Sequence, residues 1–446
     1  MDGKHNVSRR RIVATGLGVP LAGLSQALRP VAVLGTLAAC AGSGEGKPAA
    51  SQRPVTLLMV NSGAIPQGWN DLGQAFTREY PQITVEFSGT EGGTWGQYFE
   101  KIAVMSTSGS PPDVARVAIE GVQLVAHRGM ALPLDPYIKR DQGQLKDYFP
   151  DVNQNMLKSM AYQGKQYQLP FTWNGPVIHY NTTLFDRAGI ARPKDDWTVD
   201  NFLDITRRLT TADVWGVTTP NGYWGGVIPW LFLNGADLFT DDWKQSRAND
   251  PKVVEALQLY QDLSAKHRVA PPNGAGADFN TGKLAMRADG GGNLRLDMIQ
   301  KGMRDFDVLY FPKWKTQTHE YGGTGFPIMK GSKHHDESWL LTRFLIRKES
   351  IAAFCATVSQ TPARRSVAYD MWVKPGDPPK NYRIYFDMLD RGARAVPAPP
   401  EFNEVETLTL KYLRQITANE IGAKAAADGL HRELSELLAR RTPPAA

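Results

Sequence analysis

Residues 55–87, VTLLMVNSGAIPQGWNDLGQAFTREYPQITVEF, contain the pattern that decides the fold class. The uninterrupted apolar run 55–60 predicts a strand that is buried on both faces, as in a parallel sheet. The alternating residues 83–87 predict a second strand. Between the two strands, apolar residues at helical spacing predict a helix that ends before Pro81: Leu72, Ala75, Phe76 and Tyr80. A strand, a helix and a strand with short connections predict an α/β unit.

Helix and strand signals continue to alternate along the chain. They predict a helix over residues 95–106, a strand over 114–118, helices that start at Thr198 and at Asp250 with Pro251, and a helix over 418–438. No internal repeat follows residue 51. We therefore expect an α/β organisation throughout, with right-handed crossover connections.

The first fifty residues predict an export signal and not a folded domain. Residues 9–11 are three arginines before a mildly apolar stretch, the pattern of twin-arginine export signals. Residues 37–40, LAAC, resemble the lipobox of bacterial lipoproteins, in which the cysteine takes the lipid and becomes the mature N-terminus. We expect a signal peptide over residues 1–40, lipidation at Cys40 and a flexible tether over residues 41–53.

A transmembrane anchor is the alternative interpretation of these apolar residues. The runs 12–28 and 31–39 are each shorter than the ~20 residues that a membrane span needs, and Arg29 and Pro30 separate them. We therefore favour an exported protein, either periplasmic or held by its lipid at the outer face of the cytoplasmic membrane.

The net charge does not favour a nucleic-acid partner once the signal peptide is removed. The chain of 446 residues has a formal charge of +6, but cleavage before Cys40 removes five basic residues and one acidic residue and leaves +2. The second cysteine, Cys355, lies in an apolar run and is expected to be a buried, unreactive thiol. Two cysteines exclude a disulfide scaffold and a cysteine-rich metal centre.

Motifs of common enzyme classes do not occur in this sequence. We find no metalloprotease helix motif, phosphate-binding loop, nucleophile elbow or dinucleotide-binding glycine fingerprint. Residues 334–337, HHDE, are the one candidate metal cluster, but adjacent side chains point apart, so we expect a solvated loop. The glycine-rich stretches 290–292 and 322–325 lack the spacing of phosphate loops. We therefore expect no catalytic residues, no metal and no cofactor.

Tryptophan residues in loops rich in glycine and asparagine are the strongest functional signal. Trp69, Trp173, Trp224 and Trp230 all occur in such surroundings. Sugars need this combination, because their C–H faces stack on aromatic rings and their hydroxyls need planar polar groups. The alternative is that each tryptophan is an ordinary core residue.

Several motifs resemble the bacterial extracellular solute-binding proteins of family 1, the carbohydrate-type receptors of ABC importers that include maltose-binding protein. Residues 76–85, FTREYPQITV, resemble the opening pattern F-x-x-x-Y-P-x-I-x-V. Further resemblances are SGSPPDV at 108–114, GKQYQLP at 164–170, YNTTLF at 180–185, AGI at 188–190, FNTGKLAM at 279–286, GG at 322–323 and PAR at 362–364. After Trp197, the usual acidic residue of the family is replaced by Asp200 and Asn201. The resemblance extends from about residue 55 to the C-terminus.

The resemblance implies an α/β fold of the periplasmic-binding-protein type II class, with two α/β lobes, a multi-segment hinge and a ligand cleft between the lobes. Lobe 1 would comprise residues 54–172 and 323–360, and lobe 2 residues 177–320 and 365–446. The chain would cross between the lobes near residues 172–177, 322–325 and 359–364.

The resemblance also implies roles for individual residues. The aromatic rings expected at the ligand are Trp69, Trp173, Tyr223, Trp224 and Trp230. The polar groups expected there are Glu91, Asp113, Asn174, Asn293 and Arg364, and Gly323 would allow a close backbone approach. For Asp113 the alternative is a cap on local backbone.

The function implied is a monomeric receptor that binds a carbohydrate and delivers it to the transmembrane permease subunits of an ABC transporter. An alternative ligand in the same fold is a glycerol-phosphate-type polyol, which Arg364 and Arg365 would bind. An alternative of another class is an exported carbohydrate-active enzyme, which would need two carboxylates set across a cleft.

Overall fold

A computed structural model of the chain describes residues 53–90, 93–272, 277–373 and 376–445. The predicted signal peptide and lipidation site at Cys40, nearly all of the tether, and Glu91 lie outside the described residues.

Fourteen strands are found in the described residues. In chain order they are β1 (Val55–Ser62), β2 (Ile83–Thr90), β3 (Val114–Ala115), β4 (Val117–Ala118), β5 (Ala161–Tyr162), β6 (Lys165–Gln166), β7 (Thr172–Asn174), β8 (Val177–Asn181), β9 (Trp215–Val217), β10 (Leu284–Gly290), β11 (Phe306–Leu309), β12 (Glu320–Gly325), β13 (Thr361–Pro362) and β14 (Arg394–Ala395).

Sixteen α-helices are found in the same described residues. They are α1 (Gln67–Glu79), α2 (Trp95–Thr107), α3 (Ile119–His127), α4 (Asp135–Arg140), α5 (Gln154–Ser159), α6 (Thr182–Arg187), α7 (Val199–Leu209), α8 (Ile228–Leu233), α9 (Pro251–Ala265), α10 (Arg295–Gln300), α11 (His335–Leu345), α12 (Lys348–Thr357), α13 (Arg365–Asp370), α14 (Ile384–Asp387), α15 (Phe402–Thr417) and α16 (Ala423–Ala439).

The strand–helix–strand unit predicted from residues 55–87 is confirmed as β1, α1 and β2. The two strands pair in parallel, with Val55 opposite Ile83 and Ser62 opposite Thr90. A three-stranded sheet results, in the order β2-β1-β3. The predicted helix starts are also confirmed, because Thr198 caps α7 together with Asn201, and the Asp250 side chain accepts a hydrogen bond at the start of α9.

Three predicted elements differ from the structure. The strand predicted over residues 114–118 divides at Arg116 into β3 and β4, because the chain leaves the three-stranded sheet there and joins another. The C-terminal helix starts at Ala423 and not at residue 418, since Asn419 has a left-handed backbone with φ of 56°. Residues 335–337 form the first turn of α11 and not a loop, a position where the charges of Asp336 and Glu337 favour the helix dipole.

A second sheet of four strands has the order β11-β8-β10-β9. Its central strand β8 is buried over all five residues and pairs antiparallel with both β10 and β11. Two of these buried residues are polar, and each makes a hydrogen bond: His179 with the Tyr385 hydroxyl and Asn181 with the backbone N–H of Leu184.

The third sheet joins the segments predicted to cross between lobes. This five-stranded sheet has the order β13-β7-β12-β14, and its fifth strand, β4, pairs with β12. Within it, Trp173 lies opposite Gly323 on one side and opposite Thr361 on the other. Three segments more than 30 residues apart in the chain therefore meet in one sheet.

The core beside the three-stranded sheet is aromatic. Trp69 is fully buried and its ring centroid lies between 4.3 and 5.9 Å from those of four phenylalanines, Phe87, Phe171, Phe326 and Phe354. Cys355 packs in the same cluster as a free thiol, and burial raises the pKa of this thiol well above its usual value. Among the described residues, none of the helices is both long and apolar enough to cross a membrane.

Replacement of Trp69 by alanine tests its assignment to the core. We expect Trp69→Ala to destabilise the protein by about 3–5 kcal/mol, because a fully buried ring is lost and a cavity is left. The measurement is urea denaturation followed by circular dichroism. Val104→Ala is the control, since Val104 on α2 is 65% exposed and should change stability by less than about 0.5 kcal/mol. Equal urea concentrations at the midpoint of unfolding for Trp69→Ala and Val104→Ala would contradict the assignment of Trp69 to the core.

Candidate functional site

A cavity of about 180 Å³ lies against the five-stranded sheet. Its described lining consists of Ser62, Trp95, Arg116, Ala118, Glu120, Thr172, Trp173, Asn174, Trp224, Asn293, Gly322, Gly323, Thr324 and Gln360. Trp173 contributes backbone to this lining, because its side chain points to the opposite face of β7 from those of Thr172 and Asn174 and is 2% exposed. The lining combines the indole rings of Trp95 and Trp224 with amide, hydroxyl, carboxyl and guanidinium groups. These are the groups that bind a polar ligand with apolar faces.

Trp224 is positioned by the loop that precedes α8. The loop turns at Gly225, which has a left-handed φ of 68° and whose backbone N–H donates to Glu320 Oε2 at 2.8 Å. The indole lies over Gly322, where a Cβ atom would come within 2.7 Å of Trp224 Nε1. Strand β12 therefore positions the ring in two ways. The carboxyl group of Glu320 fixes the loop, and Gly322, which has no side chain, leaves room for the indole.

Trp95 reaches the cavity from the first turn of α2. Thr94 and Gln97 form a reciprocal capping box that fixes where this helix begins. The next backbone N–H, that of Gly96, donates to Glu406 Oε2 on α15 at 3.0 Å. The capping box and the hydrogen bond to Glu406 together fix the start of α2, and this places the indole of Trp95 at the cavity wall.

Two asparagines connect the edge of the five-stranded sheet to the loop before α10. Asn174 Oδ1 accepts hydrogen bonds from Asn293 N at 3.1 Å and from Thr361 Oγ1 at 2.9 Å. Asn293 Oδ1 in turn accepts from Gly291 N at 3.0 Å. Both amide groups are therefore oriented through their oxygen atoms.

Arg116 is the cationic group of the cavity. It lies between β3 and β4 and is 8% exposed. Burial lowers the pKa of its guanidinium to about 10, so the group remains charged at neutral pH. It donates to four neutral oxygen acceptors, on Asn61, Thr172, Thr324 and Gln360.

Three glutamates form a buried carboxyl cluster at and behind the cavity wall. Burial, with a smaller contribution from Glu406, raises the pKa of Glu120 to about 8. Burial also raises the pKa of Glu320 well above its usual value, and that of Glu406, although hydrogen bonds from Gly225 and Gly96 oppose this. Glu120 Oε2 and Glu320 Oε1 have no hydrogen-bond partner in the described chain. Glu120 is therefore largely a neutral acid at pH 7.

Five of the residues expected at the ligand come together in this cavity. They are Trp173, Asn174, Trp224, Asn293 and Gly323. Four of these lie on β7, on β12 or in the loop after β10, and Trp224 lies in the loop that packs on β12.

The other two tryptophans are placed in the core and not at the cavity. Trp69 is enclosed by the four phenylalanines described above, with no exposed surface. Trp230 on α8 is 1% exposed and packs between Phe202 and Phe311. Each ring fills a gap between a helix and its neighbours, so neither face is open to a ligand.

Three polar residues expected at the ligand make internal contacts instead. Asp113 accepts hydrogen bonds from Leu58 N and Ser332 Oγ, which are 55 and 219 residues away in the chain, so it ties distant segments together and does not cap local backbone. Tyr223 donates its hydroxyl to Pro397 O at 2.6 Å. Arg364 forms ion pairs with Asp147 and Asp151 at 2.8 and 2.7 Å. Their polar groups are used by the fold.

Nine lining residues were not predicted from the sequence, and four of them have large aromatic, charged or amide side chains: Trp95, Arg116, Glu120 and Gln360. A signal was present for Arg116 and Glu120, because they are charged residues inside the otherwise apolar stretch VARVAIEGV at 114–122. A charge in a segment expected to be buried is a candidate functional group.

The metal interpretation of residues 334–337 receives no support from the geometry. His335 Nε2 lies 3.3 Å from Lys330 O, and Asp336 pairs with Arg140. Within the described ranges, no group of three or more histidine, cysteine or acidic side chains could hold a metal ion.

Comparison with known proteins gives matches over most of the chain. A family model described as bacterial extracellular solute-binding protein matches residues 61–352. The diacetylchitobiose binding protein DasA of Streptomyces coelicolor is 24% identical over 322 residues, which cover 68% of this chain and 72% of DasA.

Solved structures resemble the chain over a larger part of its length. The ABC substrate-binding protein Lmo0181 of Listeria monocytogenes, in complex with cycloalternan, has a TM-score of 0.78 and 21% identity, covering 87% of this chain and all of that chain. The sugar-binding protein MalE of Xanthomonas citri has a TM-score of 0.73 and 20% identity, covering 86% and 98% of the two chains. These likenesses confirm the predicted α/β fold of the periplasmic-binding-protein type II class.

The raised pKa of Glu120 gives a prediction about stability and pH. Its folded-state pKa of about 8 exceeds the ordinary value of 4.5, so its contribution to stability is complete below about pH 4.5 and is lost as the pH rises towards 8. Glu120→Gln removes the titrating carboxyl group and with it this pH-dependent contribution to stability. Between pH 5 and 8 we expect the free energy of unfolding of the native protein to fall more steeply than that of the variant, by up to ~1.4 kcal/mol per pH unit.

Urea denaturation at each pH measures this difference. Glu404→Gln on the exposed side of α15 is the control and should follow the native protein. Parallel pH dependences for the native protein and Glu120→Gln would contradict a buried neutral carboxyl group at this position.

Proposed function

The chain belongs to the family of bacterial extracellular solute-binding proteins, and on that premise we propose that it is the carbohydrate receptor of an ABC importer. It binds a mono- or oligosaccharide and delivers it to the transmembrane permease subunits. The relatives support the ligand class, because DasA is named for diacetylchitobiose and Lmo0181 was solved with cycloalternan.

The observation that carries this proposal is the meeting of two indole rings with oriented amides in one cavity. The rings of Trp95 and Trp224 line it together with Asn174 and Asn293. Indole faces stack on the C–H faces of a sugar ring, and the amide NH2 groups, whose oxygens are bonded within the fold, donate to its hydroxyls. The cavity of about 180 Å³ is well above the volume that one buried water needs, so it admits a ligand larger than water.

The protein binds its ligand without transforming it. Of the described lining residues, Glu120 alone carries a carboxyl group, whereas glycoside hydrolysis in its usual form needs two across the bond that breaks. The raised pKa of Glu120 suits a group that donates one hydrogen bond to a hydroxyl and accepts another. The alternative of an exported carbohydrate-active enzyme has no second carboxyl group to support it in the described lining.

Ligand binding closes two lobes about the five-stranded sheet. The proposed lobes keep the boundaries given above, residues 54–172 with 323–360 and residues 177–320 with 365–446. The pairing of β7, β12 and β13 in one sheet supports a shared hinge, since a motion there would move all three segments together.

The alternative of a phosphorylated polyol bound by Arg364 and Arg365 is not supported, because both arginines already form ion pairs within the fold. Arg364 is neutralised by Asp147 and Asp151, and Arg365 pairs with Asp390. Neither guanidinium lines the cavity beside the five-stranded sheet.

The protein acts as an exported monomer, anchored by lipid at Cys40 and joined to the folded body by the tether 41–53. A membrane anchor keeps the receptor near the permease to which it delivers its ligand.

A thermal-shift screen with mono- and oligosaccharides tests the proposed ligand class. We expect a carbohydrate to raise the melting temperature, because a ligand at 100 times its Kd stabilises the folded state by about 2.7 kcal/mol. Trp224→Ala should abolish most of this shift, since the ring that stacks on the sugar is lost. Trp314→Ala is the matched control, a half-buried tryptophan outside the cavity lining, and should keep the shift.

Two results would contradict the proposal. One is a full shift in Trp224→Ala, which would place the ligand elsewhere. The other is the release of shorter saccharides from a bound oligosaccharide by the pure protein, which would establish an enzyme.

Replacement of Cys40 tests the lipid anchor. We expect Cys40→Ala to remain unprocessed or to be released from the membrane fraction, because the thiol that takes the lipid is missing. Fractionation and immunoblotting measure both outcomes. Cys355→Ala is the matched control, since it removes the other cysteine of the chain and should leave size and membrane association unchanged. A Cys40→Ala protein with native size and location would refute the anchor.

A further inference from the structure

Four arginines are buried in the described part of the chain, and one of them differs from the rest. Arg295 pairs with Asp377, Arg343 with Asp141, and Arg364 with Asp147 and Asp151. Arg116 is the exception, because its contacts within the described ranges include no carboxylate at ion-pair distance. A buried charge without a counter-charge is costly, so proteins usually pair it.

The acceptors around Arg116 satisfy its guanidinium only in part. Its Nε donates to Thr324 Oγ1 at 3.2 Å and its Nη2 to Gln360 Oε1 at 3.1 Å. The contacts to Asn61 Oδ1 and Thr172 Oγ1 are longer, both at 3.4 Å. A guanidinium has five N–H donors, so four contacts leave one donor for a further acceptor. All four acceptors are neutral and add no negative charge.

Two other groups of the cavity lining also lack partners. Trp224 Nε1 is a buried donor without an acceptor, and Glu120 Oε2 is a buried oxygen without a partner. An oxyanion in the cavity would accept from the indole N–H and the free guanidinium N–H. A protonated Glu120 would supply a third donor, as the raised pKa of this group allows at pH 7. Three donors that converge on one cavity form a site for an acceptor with negative charge.

We propose that the ligand of this cavity is a sugar or polyol that carries an anionic substituent, a carboxylate or a phosphate, bound by Arg116. The proposal rests on the function proposed above and specifies the class of ligand. The indole rings contact the carbon skeleton, and the anionic group supplies the counter-charge that Arg116 lacks within the fold.

The charges of the lining favour an anion over a cation. Among the described residues that line the cavity, Arg116 and Glu120 carry the basic and the acidic group. Since Glu120 is largely protonated at neutral pH, the cavity keeps the positive charge of Arg116. A ligand with an ammonium group would add a second positive charge to the same enclosed space.

Matched pairs of ligands on the unmodified full-length protein test the proposal. The pairs are glucose and glucuronate, galactose and galacturonate, glucose and glucose 6-phosphate, and glycerol and glycerol 3-phosphate. Isothermal titration calorimetry at pH 7 measures each Kd. We expect the anionic member of at least one pair to bind 10- to 100-fold more tightly than its neutral partner, about the effect of a charge-assisted hydrogen bond. The uronates and the phosphates distinguish the two sources of the negative charge.

Variants of Arg116 then assign the preference to this residue. Arg116→Gln should bring the anionic ligand to the affinity of its neutral partner, whereas Arg116→Lys should keep part of the preference through its point charge. Arg365→Gln is the matched control, an arginine with a carboxylate partner outside the cavity, and should bind like the native protein. Circular dichroism shows whether each variant is folded, and the ligand pairs need no variant at all.

The possible results separate this proposal from the function on which it rests. Binding of neutral saccharides with equal or higher affinity than every anionic partner overturns the anion site and leaves the carbohydrate receptor in place. A preference for anions that persists in folded Arg116→Gln also overturns the anion site. Failure of every saccharide and polyol in both screens overturns the proposed function and the anion site together.

Discussion

The antiparallel pairing of β7 with β12 is the contact on which the cavity depends. It sets Trp173 opposite Gly323, and it brings Glu320 and Gly322 of the same strand under the loop of Trp224. Both strands are short, yet each also pairs with other strands of the five-stranded sheet. Loss of this pairing would separate Asn174 on β7 from Gly322 and from the indole of Trp224 that lies over it, although each element would keep its own local structure.

Burial controls the charges at the site more than direct ion pairing does. For Glu120 and Glu320, removal from water raises the pKa, and for Arg116 it lowers the pKa. Glu120, with a pKa of about 8, is therefore largely uncharged at neutral pH, whereas the guanidinium of Arg116 keeps its charge because its ordinary pKa is much higher. Burial thus makes a cavity with acidic and basic residues behave as a weakly cationic one.

Local signals explain what could be predicted from the sequence. The apolar run of β1 and the capping box of Thr198 with Asn201 involve neighbours within a few residues, so their structures follow from the sequence pattern. The predicted site residues on β7 and after β10 came from a resemblance between motifs. Both kinds of signal place a residue on an element or in a motif but give no account of its distant contacts.

Contacts between distant residues explain what could not be predicted. Arg364 is used by Asp151, which is 213 residues away in the chain. Trp69 and Trp224 both occur in polar, glycine-containing segments, but four phenylalanines from four other parts of the chain enclose Trp69. Trp95 also follows a polar, glycine-rich segment, SGTEGGT at 88–94, but the start of its helix is held by Glu406 on α15, 310 residues away from Gly96. No local pattern carries this information.

The buried thiol of Cys355 has a consequence for the life of the protein outside the cytoplasm. Exported proteins enter compartments where thiols are oxidised, and the thiolate is the form that reacts. Enclosed with a raised pKa, Cys355 has neither the charge nor the access for disulfide exchange. In the folded protein, Cys355 therefore takes no part in disulfide formation. Labelling of Cys355 by a thiol reagent would therefore require the core around it to unfold, and would report that unfolding.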